Sequence, residues 1–388
     1  MSEALSTAVG SRPSLLESVQ PVLELVSERA AAGREGRQVP DEVVAAIKET
    51  GMMRAFLPSQ WGGLEVTPQE FFEALIAIAE RDMGTAWITG IIAVHAYQLA
   101  IMNEQALADV YKDDPDTCVS SSYNPMGAKA ELADGGLMLS GRWGWSSGSH
   151  HCSWVLLGGI VPGEGYRTFL VPRSDYEIED TWFVYGLQST GSNDIVIDKP
   201  VFVPDYRTHK RLDGFNCVHD QSNPIYSIPW AQLFVRIVST PAIGAVRHAV
   251  DVFCANAATS SSDPTKLQGD PDITQRVAQT LNDADEVEAI LFRNFDRMVS
   301  AVQAGQEIPM LDRVQYRYQA GAVIDRLIGA VDRLFDVGGG RSVYDGSELQ
   351  NIWRDIHIAR AHVANNPVAF GRNWGGMMLG AENADEFV

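Results

Sequence analysis

The spacing of apolar residues divides the chain into a helical part, a β part and a second helical part. In the first third, apolar residues such as Leu15, Val19 and Val26 recur on one face of an amphipathic helix. Thr67-Pro68-Gln69-Glu70 is a capping box with proline at the first helical position. From Thr117 to about Arg211, short apolar runs alternate with turns, which is typical of a compact antiparallel β domain.

The helical period returns at Pro229. The long amphipathic segments are expected over Trp230–Ala258, Ile273–Ala304, Leu311–Val337 and Leu349–Ala364. Four long antiparallel helices indicate a bundle. The pattern therefore predicts a disordered tail at 1–13, an N-terminal helical domain at 14–115, a central β domain at 116–215 and a C-terminal bundle with its tail at 225–388.

Charge and cysteine usage exclude several classes of function. The 388 residues carry a net charge of −20, and a chain so acidic would be repelled by phosphate backbones, so no nucleic-acid partner is expected. The cysteines are scattered and show neither a metal-binding spacing nor a disulfide framework: Cys118, Cys152, Cys217 and Cys254. A reduced, cytoplasmic setting fits this pattern.

Neither the N-terminus nor the most apolar run predicts contact with a membrane. Met1 to Pro13 is small and polar and lacks the charged start and apolar core of a signal peptide. Met83 to Met102 is largely apolar but contains threonine, histidine and glutamine, so it predicts a helix buried in the protein.

Three polar segments are candidate binding elements, and each also has a purely structural explanation. Ser120–Gly127 could bind a polar ring edge or could be a serine-rich turn. Trp143–Trp154 combines tryptophans with small hydroxyl residues and could hold a flat ring or end a strand. Leu187–Asp194 could position strands or form a tight turn. His150 and His151 are adjacent, so on a strand they would face opposite sides, and no metal site is predicted.

The segment from Trp353 to Pro367 resembles the last catalytic helix of acyl-CoA dehydrogenases. Those enzymes often follow an Arg-Asp pair with a helical turn that ends in Tyr-Glu-Gly, and in many of them this Glu takes the substrate's α-proton. Counted from Arg354-Asp355, His362 stands at the Tyr position and Val363 at the Glu position, and valine cannot accept a proton. His357 and His362 are about 140° apart on a helix, so only one is expected in the site.

Five segments in order resemble the oxygenase component of two-component flavin-dependent monooxygenases. This family includes p-hydroxyphenylacetate, secosteroid-phenol and aromatic polyketide hydroxylases. The segments are Gln60–Leu64, Ser120–Gly127, Trp145–Gly148, Gly186–Asn193 and Trp353–Pro367. The resemblance implies an α+β multidomain protein with the acyl-CoA dehydrogenase fold, which consists of a helical domain, a central antiparallel β domain and a four-helix bundle.

The resemblance also implies the chemistry and the partners. A separate flavin reductase supplies reduced FMN or FAD, O2 reacts to give a flavin C4a-hydroperoxide, and one oxygen atom enters a phenolic, polycyclic substrate. A cytoplasmic homotetramer is expected. The alternative is an acyl-CoA dehydrogenase or oxidase, in which another helix would supply the base, and a non-catalytic flavin-binding relative is a second alternative.

Site residues are carried over from the family by their positions. Ser147 is expected to hydrogen-bond near flavin N5, His362 to lie beside C4a, and His95 to polarise the phenol. Further flavin contacts are expected from Trp87, Ser121, Ser122, Tyr123, Trp145, Ser146, Gly340 and Arg341. Ser260 stands where relatives often carry an arginine that binds the flavin phosphate. The choice between FMN and FAD therefore stays open. The substrate pocket is expected between the His95 helix, the loop from Asp213 to Tyr226 and the tail after Phe370.

Overall fold

The computed structural model describes residues 12–210, 223–260 and 269–388, and the side chains of residues 259 and 260 are not described. The first helices are α1 (Leu15–Val19), α2 (Leu23–Gly36), α3 (Asp41–Glu49), α4 (Pro68–Ala79), α5 (Met83–Ala100) and α6 (Glu104–Tyr111). The strands are β1 (Val119–Ser122), β2 (Ala128–Ala133), β3 (Gly136–Ser146), β4 (Trp154–Val161), β5 (Gly165–Pro172), β6 (Glu177–Glu179), β7 (Asn193–Pro204) and β8 (Thr208–Lys210). The later helices are α7 (Trp230–Ile237), α8 (Pro241–Ser260), α9 (Pro271–Gln303), α10 (Met310–Gly321), α11 (Val323–Phe335), α12 (Glu348–Ala359) and α13 (Pro367–Met378).

Helix α5 is buried along its whole length, as the apolar run of the sequence predicts. The side chain of Asp82 caps its first turn by accepting a hydrogen bond from the Thr85 N–H at 2.6 Å. The helix packs against α4, α7, α8 and β1, so it is surrounded by both the helical and the β parts of the molecule. Trp87 and His95, two of the predicted site residues, are therefore held in the interior.

The β part consists of two four-stranded sheets with a shared apolar core. The strand orders are β1-β4-β5-β8 and β2-β3-β7-β6. The domain is antiparallel, as predicted, with one exception: β1 pairs with β4 in parallel. β1 arrives from α6, and the chain forms β2 and β3 in the other sheet before returning as β4, so the two strands run in the same direction.

Helices α8, α9, α11 and α12 pack on one another as the predicted four-helix bundle. Two of the predicted long helices are each split into two pieces. The segment from Trp230 breaks before Pro241, because proline lacks the N–H of a helix interior and disfavours helical backbone in the residue before it. The third segment breaks after Gly321, a residue with low helix propensity.

One segment, Trp230–Ala258, is long and apolar enough to cross a membrane by length and composition alone. Its most apolar stretch is 89% buried within the protein, as in a core helix of a soluble protein, and this makes the segment weak evidence for a membrane span.

A buried carboxylate joins the β part to the bundle. Asp355 on α12 accepts a hydrogen bond from the backbone N–H of Leu187, in the loop between β6 and β7. A Cβ atom at the preceding Gly186 would lie 2.4 Å from the carbonyl oxygen of Arg354, so only glycine permits this close contact. The loop between β6 and β7 therefore rests directly on the backbone of α12.

Two glycines inside bundle helices differ only in the space around them. A Cβ at Gly244 on α8 would lie 2.4 Å from the carbonyl oxygen of Ile76, whereas nothing lies within 4 Å of a Cβ at Gly329 on α11. We expect Gly329→Ala to stabilise the protein by about 1 kcal/mol through helix propensity. We expect Gly244→Ala to destabilise it by about 1–3 kcal/mol through overpacking. Urea unfolding of both variants at one protein concentration measures the two changes, and equal shifts would show that α4 and α8 are not in close contact.

The buried Asp355 predicts a dependence of stability on pH. Burial, and then the charge of Asp82, raise the pKa of Asp355 to about 7 in the folded protein. The folded state therefore holds this proton more tightly than the unfolded state, and the resulting stabilisation is lost as the pH rises from about 4 through about 7. We expect the unfolding free energy of Asp355→Asn to fall less than that of the wild type between pH 5 and pH 8. Asp345→Asn, which changes a side chain that is 96% exposed, is the control, and parallel curves for all three proteins would contradict the prediction.

Candidate active site

A chain of hydroxyl groups runs from the loop between β6 and β7 to Ser147, directly after β3. Thr190 Oγ1 donates a hydrogen bond to the carbonyl oxygen of Leu187 at 2.8 Å, and Ser192 Oγ lies 2.8 Å from Thr190 Oγ1. Ser147 Oγ lies 2.8 Å from Ser192 Oγ and accepts a hydrogen bond from Nε1 of Trp87 at 3.2 Å. The chain holds Ser147 against α5. Its hydroxyl partners, Ser192 and Thr190, lie in the segment Leu187–Asp194. The sequence predicts this segment as a candidate binding element but assigns neither residue a role.

The direction of these hydrogen bonds follows from the single hydrogen that each hydroxyl carries. Thr190 uses its hydrogen on Leu187 and therefore accepts from Ser192. Ser192 must then accept from Ser147. Ser147 Oγ also accepts from Trp87 and keeps one free lone pair. A bound molecule can therefore add a hydrogen bond to Ser147 only by donating to it.

Trp145 combines an exposed indole ring with a strained backbone. Its φ is +66° and it is 65% exposed, at a β-bulge where the pairing of β3 with β7 shifts between Trp143 and Ser146. A bulky residue with positive φ is an outlier that typically occurs at a functional site. The neighbouring Ser146 is buried, and its Oγ has no hydrogen-bond partner in the described part of the chain. An exposed ring and a buried, unpaired hydroxyl are therefore consecutive along the chain.

The predicted residues around β1 lie between this bulge and α5. Ser121 and Ser122 are buried, and Ser122 Oγ donates a hydrogen bond to the carbonyl oxygen of Gly144 at 2.6 Å. The hydroxyl of Tyr123 donates to Oε1 of Gln98 on α5 at 2.5 Å. These bonds connect the end of β1 with both β3 and α5.

His95 is a neutral, fully buried imidazole with one free nitrogen. Its Nδ1 lies 2.6 Å from the carbonyl oxygen of Val119, which can only accept, so Nδ1 carries the hydrogen. Nε2 is therefore an acceptor, and no described residue bonds to it. Burial lowers the pKa of His95 to about 4, so the ring is uncharged at neutral pH. The ring of Tyr123 lies 6.1 Å away.

His362 lies outside any α-helix, which corrects the predicted helix to Ala364. Helix α12 ends at Ala359, and His362 has extended backbone and caps a short 3₁₀ turn. Its Nδ1 accepts a hydrogen bond from the N–H of Ala364 at 3.2 Å, so the ring hydrogen is on Nε2. Burial, and then the charge of Arg317, lower the pKa of His362 to about 4.

The contacts of the two C-terminal histidines distinguish them. The His362 ring lies 5.9 Å from the rings of Trp87 and Phe234, within the same cluster as Ser147. The His357 ring instead stacks on Trp353 at 3.9 Å, away from the cluster. Val363 is 79% exposed, so it neither offers a base nor faces the cluster.

Three aromatic side chains that the sequence did not identify as site residues complete the cluster. Trp230 and Phe234, one turn apart on α7, lie 5.4 Å and 5.5 Å from Tyr123. Phe387 in the C-terminal tail lies 5.5 Å from Trp230 and 6.1 Å from Phe234. The four-residue spacing of Trp230 and Phe234 could have indicated from the sequence that both lie on one helix face. The position of Phe387 depends on tertiary folding alone. We call Tyr123, Trp230, Phe234 and Phe387 the aromatic wall.

Gly340 and Arg341 lie apart from this cluster. They follow Gly339, which has a φ of +71°, between α11 and α12. They line a separate cavity of about 460 Å³ together with Val252 and Glu348. No hydrogen bond or ring contact in the described chain joins them to His95, Ser147 or His362.

Of the expected substrate-pocket elements, the tail after Phe370 contributes Phe387 to the aromatic wall, and the ring of Tyr226 lies 5.4 Å from that of Tyr97 on the His95 helix. Tyr226 donates its hydroxyl to the carbonyl oxygen of Phe56 in the core, at 3.0 Å. The ring of Trp374 on α13 lies 5.5 Å from that of Tyr318, and Met378 is 64% exposed. Residues 211–222 of the expected loop lie outside the described residues. The aromatic wall stands where these residues were expected.

No metal site accompanies the cluster in the ranges that the structure describes. No three histidine, cysteine, aspartate or glutamate side chains there form a group that could hold an ion. The polar atoms of the cluster are hydroxyls, an indole N–H and two neutral imidazoles, which suit an uncharged or weakly charged ring system.

Comparison with known proteins gives consistent results. A family model described as acyl-CoA dehydrogenase, C-terminal domain, matches residues 236–367. The chain is 35% identical to the oxygenase subunit HsaA of a flavin-dependent monooxygenase from Mycobacterium tuberculosis, over 95% of this chain and 96% of the relative. It is 29% identical to the oxygenase component of p-hydroxyphenylacetate 3-hydroxylase from Acinetobacter baumannii, over 95% of this chain and 90% of the relative.

A solved structure extends the agreement to the fold. The crystal structure of 3-HSA hydroxylase from Rhodococcus sp. RHA1 matches with a TM-score of 0.91 and 32% identity, over 97% of this chain and 99% of that one. The predicted acyl-CoA dehydrogenase-like fold is therefore confirmed. The chain belongs to the family of oxygenase subunits of two-component, reduced-flavin-dependent monooxygenases.

Proposed function

We propose that this oxygenase hydroxylates a phenolic substrate with fused rings, held against the aromatic wall with its hydroxyl at His95. The observation that carries this proposal is the unpaired Nε2 of His95. A buried polar atom without a partner is costly, and a phenol O–H would supply the missing hydrogen bond. The wall supplies flat apolar surface for the rings next to it.

The cluster also fits a reduced flavin. The exposed ring of Trp145 and the unpaired Oγ of Ser146 suit the face and the polar edge of an isoalloxazine ring, with Ser121 and Ser122 near the same edge. Trp87 and His362 would border the ring on the side of α5. Bound there, reduced flavin supplies the activation of O2, while these residues orient it and exclude water.

Ser147 is proposed to limit the release of hydrogen peroxide after the reduced flavin has reacted with O2. Its free lone pair can accept a hydrogen bond, and N5 of reduced flavin carries a hydrogen to donate. The hydroxyl chain through Ser192 and Thr190 supports this role, since it prevents Ser147 from turning its own hydrogen toward the ligand. His362 is proposed to lie on the C4a side and to donate from Nε2.

His95 is proposed to accept the phenol proton. Its Nε2 is the acceptor nitrogen and its ring is neutral, so it can take up a proton as the ring carbon reacts. A phenol that has given up part of its proton is more electron-rich at the carbon beside the hydroxyl. The proposed acceptor role therefore favours attack by that carbon on the activated oxygen.

Assembly and location are proposed on separate grounds. The distance of Gly340 and Arg341 from the cluster supports a homotetramer in which they contact flavin bound by a neighbouring subunit. The described cysteines are free, which supports a reduced, cytoplasmic setting: Cys118, Cys152 and Cys254. A separate protein supplies reduced flavin, and this chain provides the oxygenase reaction.

The fraction of O2 that enters product tests the function and the role of Ser147 together. We expect wild-type protein, mixed with reduced FMN or FAD, O2 and a polycyclic phenol, to form hydroxylated product with little peroxide. Ser147→Ala should raise the ratio of peroxide to product by about fivefold, since a lost hydrogen bond is worth about 1 kcal/mol.

Ser149→Ala is the matched control, because it removes a buried hydroxyl two residues away that has no partner in the described chain. Peroxide as the sole product of the wild type, with both flavins and all phenols, would refute the proposed function. Equal ratios in Ser147→Ala and wild type would refute only the role of Ser147.

Replacement of His95 should impair hydroxylation while leaving the reaction of reduced flavin with O2 intact. We expect His95→Ala to slow product formation by about 100-fold, the usual contribution of a general base. Since the pKa of His95 is about 4, wild-type hydroxylation should show no loss from protonation of this residue between pH 6 and pH 8.

His248→Ala is the control for His95, because His248 Nδ1 also contacts a backbone carbonyl, that of Glu80, outside the site. Rapid mixing with separate detection of flavin oxidation and product measures both steps. Unchanged product formation in His95→Ala would assign the phenol contact to another residue.

A further inference from the structure

Helix α7 presents two different faces to the interior. Trp230 and Phe234 belong to the aromatic wall, whereas Gln232 and Arg236, also one turn apart, lie on the opposite side. Gln232 Nε2 donates a hydrogen bond to the backbone oxygen of Arg313 at 3.1 Å, so this second face packs on α10. A second polar region therefore lies behind the wall.

Arg236 is buried in this region without a counter-charge. It is 3% exposed, and both Nη1 and Nη2 lack hydrogen-bond partners within the described chain. No carboxylate among the described residues forms an ion pair with it. Its charged neighbours are instead Arg293 and Arg317, and burial together with their charges lowers its pKa to about 9. At neutral pH Arg236 is therefore still protonated.

Arg317 leaves room for a further partner as well. It is also buried, and its Nη1 donates to the backbone oxygen of Ala364 at 3.1 Å, while its guanidinium stacks on the Phe370 ring at 3.4 Å. Its Nε has no hydrogen-bond partner in the described chain. The Oδ2 of Asp385 lies 3.9 Å from this Nε, which is ion-pair distance but too long for a hydrogen bond, so one carboxylate faces the two arginines.

A buried guanidinium requires compensation by an opposite charge or by hydrogen bonds to all its donors. Arg236 has neither in the described chain, and the positive charges of Arg293 and Arg317 act on it from the neighbouring helices α9 and α10. Water would satisfy the donors but would leave the repulsion between the two arginines. A small anion satisfies both requirements, because each arginine could donate to it.

We propose that Arg236 and Arg317 form a buried binding site for one small monovalent anion, of the size of chloride or formate. The site lies behind the aromatic wall and is distinct from the proposed positions of flavin and phenol. It is connected to the reaction site through Arg317, which holds Ala364 two residues from His362. Occupancy would offset the charge of Arg317 that acts on His362. The proposal does not depend on the identity of the substrate.

Thermal unfolding of the full chain without flavin tests the site. Sodium chloride is exchanged for sodium gluconate at constant ionic strength, because gluconate is too bulky to enter a buried site. We expect the Tm to rise with the logarithm of chloride concentration, by about 3 °C or more at concentrations well above the Kd. Formate should act like chloride. Identical Tm values in all three salts would overturn the proposal.

Arg236→Met connects the effect to this residue. The variant should lose the dependence on chloride and should melt higher than the wild type in gluconate, because replacing a buried charge by an apolar side chain is often stabilising. Arg236→Gln is a second variant that keeps polarity, and it should also lose the response. Arg276→Met removes a charge that pairs with Asp272 at 2.9 Å on α9 and should keep the response. A chloride response that survives in both Arg236 variants would show that the anion binds elsewhere.

Discussion

The complete burial of α5 is the constraint on which the site depends. A polar side chain on a fully enclosed helix has no water to bond, so each of its atoms must find a partner in the fold or remain unsatisfied. Nε1 of Trp87 donates a hydrogen bond to Ser147, and Nδ1 of His95 donates one to the carbonyl oxygen of Val119. Nε2 of His95 has no partner in the described chain, and this is the atom to which the proposed phenol would donate a hydrogen bond. The neutrality of His95 has the same cause, since burial disfavours its charged form.

Helix α7 shows how one short element can serve two purposes. Trp230 and Phe234 on one side form part of the aromatic wall, whereas Gln232 and Arg236, half a turn away, bring polar groups into the interior. The break before Pro241 makes this possible. A continuous helix into α8 would fix the rotation of α7 by the bundle, whereas the separate piece can orient Trp230 and Phe234 toward Tyr123. The bundle and the site are therefore coupled through a loop of three residues.

Local patterns in the sequence were sufficient for much of this architecture. Periodicity predicted the order of helices and strands, and the resemblance predicted His95, Ser147 and His362, which the fold brings into one cluster through Trp87 and Tyr123. Periodicity did not reveal the end of α12 at Ala359, because the apolar period continues past the point where the backbone turns. It also gave no indication of Phe387 or of the unpaired Arg236, since both depend on contacts between residues far apart in the chain. Gly340 and Arg341, also predicted from the resemblance, line a separate cavity instead.

Because of the β-bulge at Trp145, the length of this segment is more tightly constrained than the identity of its residues. Within a strand, successive side chains alternate between the two faces, and the bulge sets the phase at which Trp145 is exposed while Ser146 and Ser147 are buried. Substitution of one side chain changes one contact, but insertion or deletion of one residue would reverse the phase of every position between Trp143 and Ser147. During divergence, this segment can therefore exchange residues far more easily than it can change length. The hairpin at Gly163 is the opposite case: a Cβ atom there would meet nothing within 4 Å, so this turn can change length more easily.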